Sequence, residues 1–278
     1  MPGRPKTVCR AYWLAEGNPM NDDMVGSYWD RNAHIWARQV RAGYDSYREY
    51  YNTPAFVAFI GDISGKTVLD AGCGEGYNTR IFARSGANLT GVDVSEQMIE
   101  LARDEEAREP LGIRFEVASM NDLCVFADDA FDMVVSTMAL MDCADYDGAV
   151  AEFARVLRPG GTLAFSVTHP CFANDPREWH RDEEGNACEL VTGPYRQASR
   201  IAEWTFGAAP DHEREPFQVP TFSRTVAEYL NPLAANGFCL KHILEPEPTD
   251  AACAKEPRLR KHKYFPQSMM VMARLGGR

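Results

Sequence analysis

The chain has 278 residues, 45% hydrophobic and 25% charged, with a net charge of -11 at pH 7. This is the balance of a soluble globular protein with one substantial core, and the acidic surplus argues against general affinity for nucleic acid, which needs Lys and Arg to neutralise phosphates. No apolar run approaches the ~20 residues of a membrane span, and the polar start Met1-Pro-Gly-Arg-Pro-Lys lacks a signal peptide's apolar stretch, so no membrane association and a cytoplasmic location are expected.

Residues 1–24, rich in Pro, Gly, Asn and Asp, read as a flexible arm, leaving 25–278 as the domain. Helical patterning begins near Val25, where Trp29, Ala33, Trp36, Ala37 and Val40 fall on one helix face and Tyr44, Tyr47 and Tyr51 continue the stripe. Thr53-Pro54 predicts an N-cap followed by proline at the first helical position, opening a helix through Ile60. Strands are then predicted near 66–71, 88–93, 113–118, 131–136 and 162–168, with helices near 77–85, 95–107 and 145–157, Ser95 and Asp145 serving as N-caps. Alternation of this kind implies right-handed crossovers and a parallel sheet covered on both faces, with ligands bound beyond the carboxyl ends of the strands. Residues 170–222 break the pattern and read as a long insertion with Trp179, Tyr195 and Trp204 but no helical period. Regular structure resumes with a helix around Val226–Ala234, a sixth strand over 238–244 and a seventh over 267–275. Between those strands, Lys255 to Lys263 carries five basic residues and one Glu, either a solvated loop or a contact for an acceptor carboxylate or phosphate.

The chemistry concentrates in Val68-Leu69-Asp70-Ala71-Gly72-Cys73-Gly74-Glu75-Gly76 and in Gly91-Val92-Asp93. A glycine loop after one strand lets a ligand approach the main chain, and a carboxylate at the tip of the next can accept hydrogen bonds from both hydroxyls of a ribose. A dinucleotide site would need its third glycine one place later than Gly76, and a small residue where Tyr77 stands. Asp70 and Glu75 would repel a pyrophosphate and suit a ligand bearing an ammonium and a sulfonium. No Gly-Lys-Ser/Thr follows, which excludes a P-loop. The eight cysteines form no CxxC pair, and His169-Pro170-Cys171 alone does not make a metal site, so no metal is expected.

Val68 to Asp93 resembles motifs I and II of class I S-adenosylmethionine-dependent methyltransferases. The likeness continues through Phe131-Asp132-Met133-Val134-Val135-Ser136 and Leu157-Arg158-Pro159-Gly160-Gly161-Thr162-Leu163. It covers roughly residues 55 to 170 and is similar to the small-molecule type that includes the ubiquinone and menaquinone biosynthesis enzymes. The resemblance implies a Rossmann-like, seven-stranded, mostly parallel sheet with helices on both faces and an antiparallel seventh strand. The N-terminal helices and the 170–222 insertion would form a cap. It also implies S-adenosylmethionine as cofactor and a small-molecule methyl acceptor as partner, with no nucleic acid. Carried over by motif position, Asp70, Gly72, Cys73 and Gly74 would line the methionine portion, and Asp93 the ribose. Val94 and Met98 would lie near the adenine, Ser119 and Met120 at its edge, and Thr137 and Met138 beneath the methyl donor. Tyr28, His34, Arg38 and Tyr50 are candidates for the acceptor side. His169, at the end of the fifth strand, is the candidate general base, because an imidazole titrates near neutrality; a turn-shaping role is its alternative. An NAD-dependent oxidoreductase and a non-catalytic S-adenosylmethionine-binding protein are the competing functions.

Overall fold

A computed structural model describes residues 20–277. Most of the expected arm, 1–24, lies outside the described residues. The first helix, α1 (Asp22–Arg41), starts three residues before the expected point because Asn21 accepts a hydrogen bond from the Met24 amide. Asp22 and Asp23 in its first turn and Arg38 and Arg41 in its last complement the helix dipole. A π-helical turn over Arg48–Asn52 runs without a break into α2 (Thr53–Ile60). Thr53 is therefore inside a continuous helix and caps nothing; its hydroxyl donates instead to Asn78 Oδ1 at 2.8 Å.

The central unit follows as β1 (Thr67–Ala71), α3 (Tyr77–Arg84), β2 (Asn88–Asp93), α4 (Glu96–Arg108), β3 (Arg114–Val117), β4 (Phe131–Thr137), α5 (Tyr146–Val156) and β5 (Leu157–Thr168). Ser95 and Asp145 do cap α4 and α5, accepting from the amides of Met98 and Gly148. β5 starts earlier than expected: Leu157 pairs with Phe131, the Arg158–Gly161 turn bulges out, and pairing resumes at Thr162 with Met133. Two antiparallel ribbons then fill the insertion, β6 (Glu178–Arg181) with β7 (Ala187–Val191) and β8 (Arg200–Trp204) with β9 (Phe217–Thr221). The chain finishes with α6 (Val226–Ala235), β10 (Phe238–Leu244), α7 (Asp250–Lys255), a 3₁₀ turn over Pro257–Lys263 and β11 (Ser268–Leu275). The basic stretch is thus an ordered corner with Leu259 and His262 buried, and a solvated loop does not describe it.

The seven strands order as β10-β11-β5-β4-β1-β2-β3, with β11 antiparallel to both its neighbours and the remaining pairs parallel. Because strand side chains alternate, Leu69, Val134 and Phe165 pack with Phe153 of α5 and Tyr229 of α6 on one face. Val68, Met133 and Ala164 pack with Phe56, Phe82 and Ile99 of α2, α3 and α4 on the other. Two buried layers leave the strand ends as the place where polar groups can meet a ligand.

Candidate active site

The carboxyl ends of β1 and β2 hold the glycine loop in place. The Gly72 and Cys73 amides both bond to Val92 O, at 2.8 and 2.9 Å, so the chain turns back over β2 as soon as β1 ends. Gly72 has φ +78°, and a Cβ there would collide with Ala139, which makes glycine obligatory. Asp93 fastens the far side: Oδ2 accepts from the Gly74 amide at 2.9 Å and Oδ1 from the Ser95 amide at 2.9 Å.

Burial decides the electrostatics. Asp70 is fully buried; Thr79 donates to its Oδ2 at 2.7 Å, and its Oδ1 has no partner among the described residues. Desolvation raises its pKa to about 7 against the help of Thr79. Desolvation likewise raises Asp93 to about 6, opposed by its two amide bonds. Glu75, expected to join Asp70 in facing a cation, is already committed: it pairs with Arg48 Nη1 at 2.8 Å and accepts from the Trp36 indole at 3.2 Å.

A cavity of about 920 Å³ opens over these strand ends. Every expected cofactor residue except Asp70 borders it. Ser119 is tied to the start of α1, its hydroxyl donating to Asp22 Oδ2 at 2.7 Å. Asp142, which the sequence reading missed, also borders it, and burial pushes its carboxyl well above the usual range while Arg224 acts in the opposite direction. No motif marks Asp142; its position five residues after Thr137 was the only signal.

The acceptor-side candidates fare differently. Tyr28 packs into a small apolar cluster with Val25 and Phe222, His34 is exposed, Arg38 pairs with Glu215, and Tyr50 lies under Lys255. None borders the cavity. The wall on this side comes instead from Trp29, Trp36, Tyr44, Tyr47 and Arg48, residues of the stripe read as packing or close to it. The helix turns a different face to the cavity from the one that carries Tyr28 and Arg38, as a 3.6-residue period requires.

His169 is not at the cavity either. It is 3% exposed, its Nδ1 accepts from the Cys171 amide at 3.1 Å, and its Nε2 meets Glu245 Oε1 at 2.8 Å. With both ring nitrogens occupied, the imidazole stabilises the turn after β5 and has no nitrogen to offer an acceptor.

Residues 69–165 match the methyltransferase domain family. An S-adenosylmethionine-dependent methyltransferase from Mesorhizobium loti superposes with a TM-score of 0.64 at 30% identity, covering 80% of this chain and 96% of that one. This chain belongs to the S-adenosylmethionine-dependent methyltransferases. The methyltransferase is also 34% identical over 126 residues to malonyl-[acyl-carrier protein] O-methyltransferase of Pectobacterium atrosepticum, covering 45% of this chain and 48% of the relative. To demethylmenaquinone methyltransferase of Tropheryma whipplei it is 37% identical over 112 residues, covering 40% and 46%. The matched part thus spans about half the length of these curated relatives. Its methyl donor is S-adenosylmethionine, and the oxidoreductase alternative is set aside. Among the described residues, no helix is long and apolar enough to cross a membrane.

Proposed function

We propose that this methyltransferase transfers its methyl group to a small-molecule acceptor, with the donor between the glycine loop and Asp93 and the acceptor against the aromatic wall. The supporting observation is that one cavity contains both regions. Gly74 and Asp93 share it with Trp36, Phe206 and Phe217. Its volume of about 920 Å³ lies near the top of the roughly 300–1,000 Å³ typical of small-molecule sites, room for a donor and a modest acceptor together. The relative named demethylmenaquinone methyltransferase leans the same way.

The residues fit the donor. Asp70, behind the glycine loop, has a buried oxygen lacking a hydrogen bond among the described residues, and its charge would favour an ammonium at the near cavity edge. Gly72, Cys73 and Gly74 bring main chain to the cavity edge, and Asp93 keeps lone pairs for two ribose hydroxyls after accepting its two amides. Val94 and Met98 offer an apolar bed for the adenine, and Ser119 and Met120 an edge. Thr137 and Met138 lie beneath the reacting centre, the Thr137 hydroxyl fixed by Asn78 Nδ2, which donates to it at 2.9 Å. When bound, S-adenosylmethionine supplies an electrophilic methyl group on a sulfonium.

The chain's own contribution is alignment and exclusion of water. Holding two reactants in line removes up to ~7–11 kcal/mol of barrier, and an aromatic wall that limits water at the reacting centre favours loss of charge at sulfur. Residues 170–222 serve as the cap of a domain that takes in α1 from Asp22, three residues earlier than expected: Asp175, Trp204, Phe206 and Phe217 of the cap segment all face the cavity. Free thiols at all seven described cysteines suit a reducing cytoplasm. The test is release of S-adenosylhomocysteine across a panel of small acceptors, beside protein and nucleic-acid substrates. Turnover with small acceptors supports the reading; label passing only into protein or nucleic acid overturns it.

A further inference from the structure

The cavity is unevenly charged. The side by the glycine loop carries Asp22, Asp45, Glu75, Asp93 and Asp142 against Arg48, with Asp70 behind it. The side formed by the segment leading into β6, the start of β8 and the Pro257–Lys263 turn carries Arg177, Arg200, Arg258 and Lys261 against Asp175. Three of these four cations touch a carboxylate, Arg177 and Arg200 sharing one. Asp175 accepts from Arg177 Nε at 2.9 Å and Arg200 Nη2 at 2.6 Å, and Arg258 pairs with Glu256 at 2.5 Å. Glu256 is further committed to Ser46, which donates to it at 2.8 Å.

Lys261 is the exception. Among the described residues its ammonium has neither a carboxylate nor a hydrogen-bond partner; it lies 4.5 Å from the centre of the Trp179 ring. Trp179 is packed edge-on against His262 and Phe265, so it is a fixed platform. Burial, together with the charges of Arg177, Arg181 and Arg258, draws the Lys261 pKa down to about 8, Glu256 giving only partial relief. A half-buried ammonium has three donors to satisfy, and an aromatic face satisfies none of them as hydrogen bonds.

We propose that the methyl acceptor carries an anionic group, a carboxylate or a phosphate, which Lys261 binds beside Trp179 in the field of Arg177 and Arg258. The inference rests on reading this cavity as the acceptor site. It gives the cavity two electrostatic ends, an acidic one for a cationic donor and a basic one for an anionic acceptor, so that each ligand is attracted to its own end.

The experiment is calorimetric titration of the S-adenosylhomocysteine-loaded enzyme with benzoate, phenyl phosphate and neutral benzamide. Saturable binding of at least one anion and none of benzamide is expected, and the preferred anion distinguishes carboxylate from phosphate. Lys261→Met should weaken that binding about tenfold or more, the loss of one charge-assisted hydrogen bond, and Lys261→Arg should restore most of it. S-adenosylhomocysteine affinity should be unchanged in both variants, which also reports that they are folded. Equal binding of benzamide and the anions, or unchanged anion affinity in Lys261→Met, overturns the proposal. The acceptor panel separates it from the reading beneath it. Turnover confined to neutral small molecules would defeat the anion site and spare the small-molecule reading. Lysine-dependent anion binding with label entering only protein or nucleic acid would do the reverse.

Discussion

Arg48 and Glu75 form an ion pair 2.8 Å long, with side chains only 15% and 8% exposed, that fastens the π-helical turn before α2 to the glycine loop. The Trp36 indole closes the second oxygen of Glu75, so three elements meet at one carboxylate. Removing one member of a buried pair strands the other charge at a cost of roughly 3–5 kcal/mol. Arg48→Met should therefore destabilise the enzyme by that order in urea unfolding. The double variant Arg48→Met/Glu75→Gln should recover part of the loss, because the Glu75 charge is gone and only Asp45, the other carboxylate that Arg48 faces at 3.6 Å, is left without its guanidinium.

Asp93 holds the loop and, in the proposed arrangement, the ribose. Charge-assisted hydrogen bonds contribute ~1.5–3 kcal/mol each, so Asp93→Ala should weaken S-adenosylmethionine binding at least ~10-fold. Calorimetry on a variant verified as folded checks this, and undiminished affinity would remove Asp93 from the donor site.

Asp70 predicts a pH dependence whose sign follows from its raised pKa. Below its ordinary value of 3.8 both folded and unfolded chains hold the proton; between there and about 7 only the folded chain does. Its contribution to stability is therefore present at low pH and lost as pH rises through that window, by up to about 1.4 kcal/mol per unit. The ligand-free enzyme with Asp70→Asn should lack this slope when melted at successive pH values. An ammonium beside the carboxylate favours its ionised form, so donor binding near pH 6.5 should release a proton. Calorimetry in buffers of different ionisation enthalpy measures that release, which Asp70→Asn should abolish.

His169→Ala should cost about 1–3 kcal/mol of stability through loss of the Glu245 and Cys171 bonds and the Phe172 contact. Single-turnover rates should keep the wild-type pH profile. A profile in which the variant alone loses a limb near neutrality would return the imidazole to the chemistry.

The parallel sheet was readable because local chemistry dictates backbone there. Positive φ at Gly72 and Gly76, caps at Ser95 and Asp145, and runs such as Met133-Val134-Val135 that are buried on both faces allow few alternatives. The ribbons were not readable. Glu178-Trp179-His180-Arg181 is exposed or half-exposed throughout and carries no apolar alternation, since Trp179 alone borders the cavity and neither face meets the core. The aromatic wall was half visible: Trp29 and Trp36 stood out as a stripe, but periodicity groups residues by face without saying whether that face meets a core or a void. The basic stretch from Lys255 to Lys263 was visible as one of two readings, an anion contact, but that Lys261 is its unpaired cation, and that Asp142 borders the cavity, depends on neighbours more than eighty residues away, Trp179 and Arg224, which no spacing encodes.

α1 is bonded at both ends of the cavity. Asp22 takes the Ser119 hydroxyl and Asp30 the Ser95 hydroxyl at 2.7 Å each, while farther along Asn32 donates to Gln218 O at 2.6 Å and Gln39 to Glu215 O at 3.0 Å. Gly26 lies against Val94, where a Cβ would come within 3.2 Å of the carbonyl oxygen. A single rod thus links the carboxyl ends of β2 and β3, the proposed nucleoside side, to the β8–β9 ribbon. Whatever one ligand does to stiffen α1 is a gain the second need not supply, so donor and acceptor should bind cooperatively, and by the same factor in either order. Paired titrations, each ligand with and without the other, would measure that factor, and Asn32→Ala should bring it towards one.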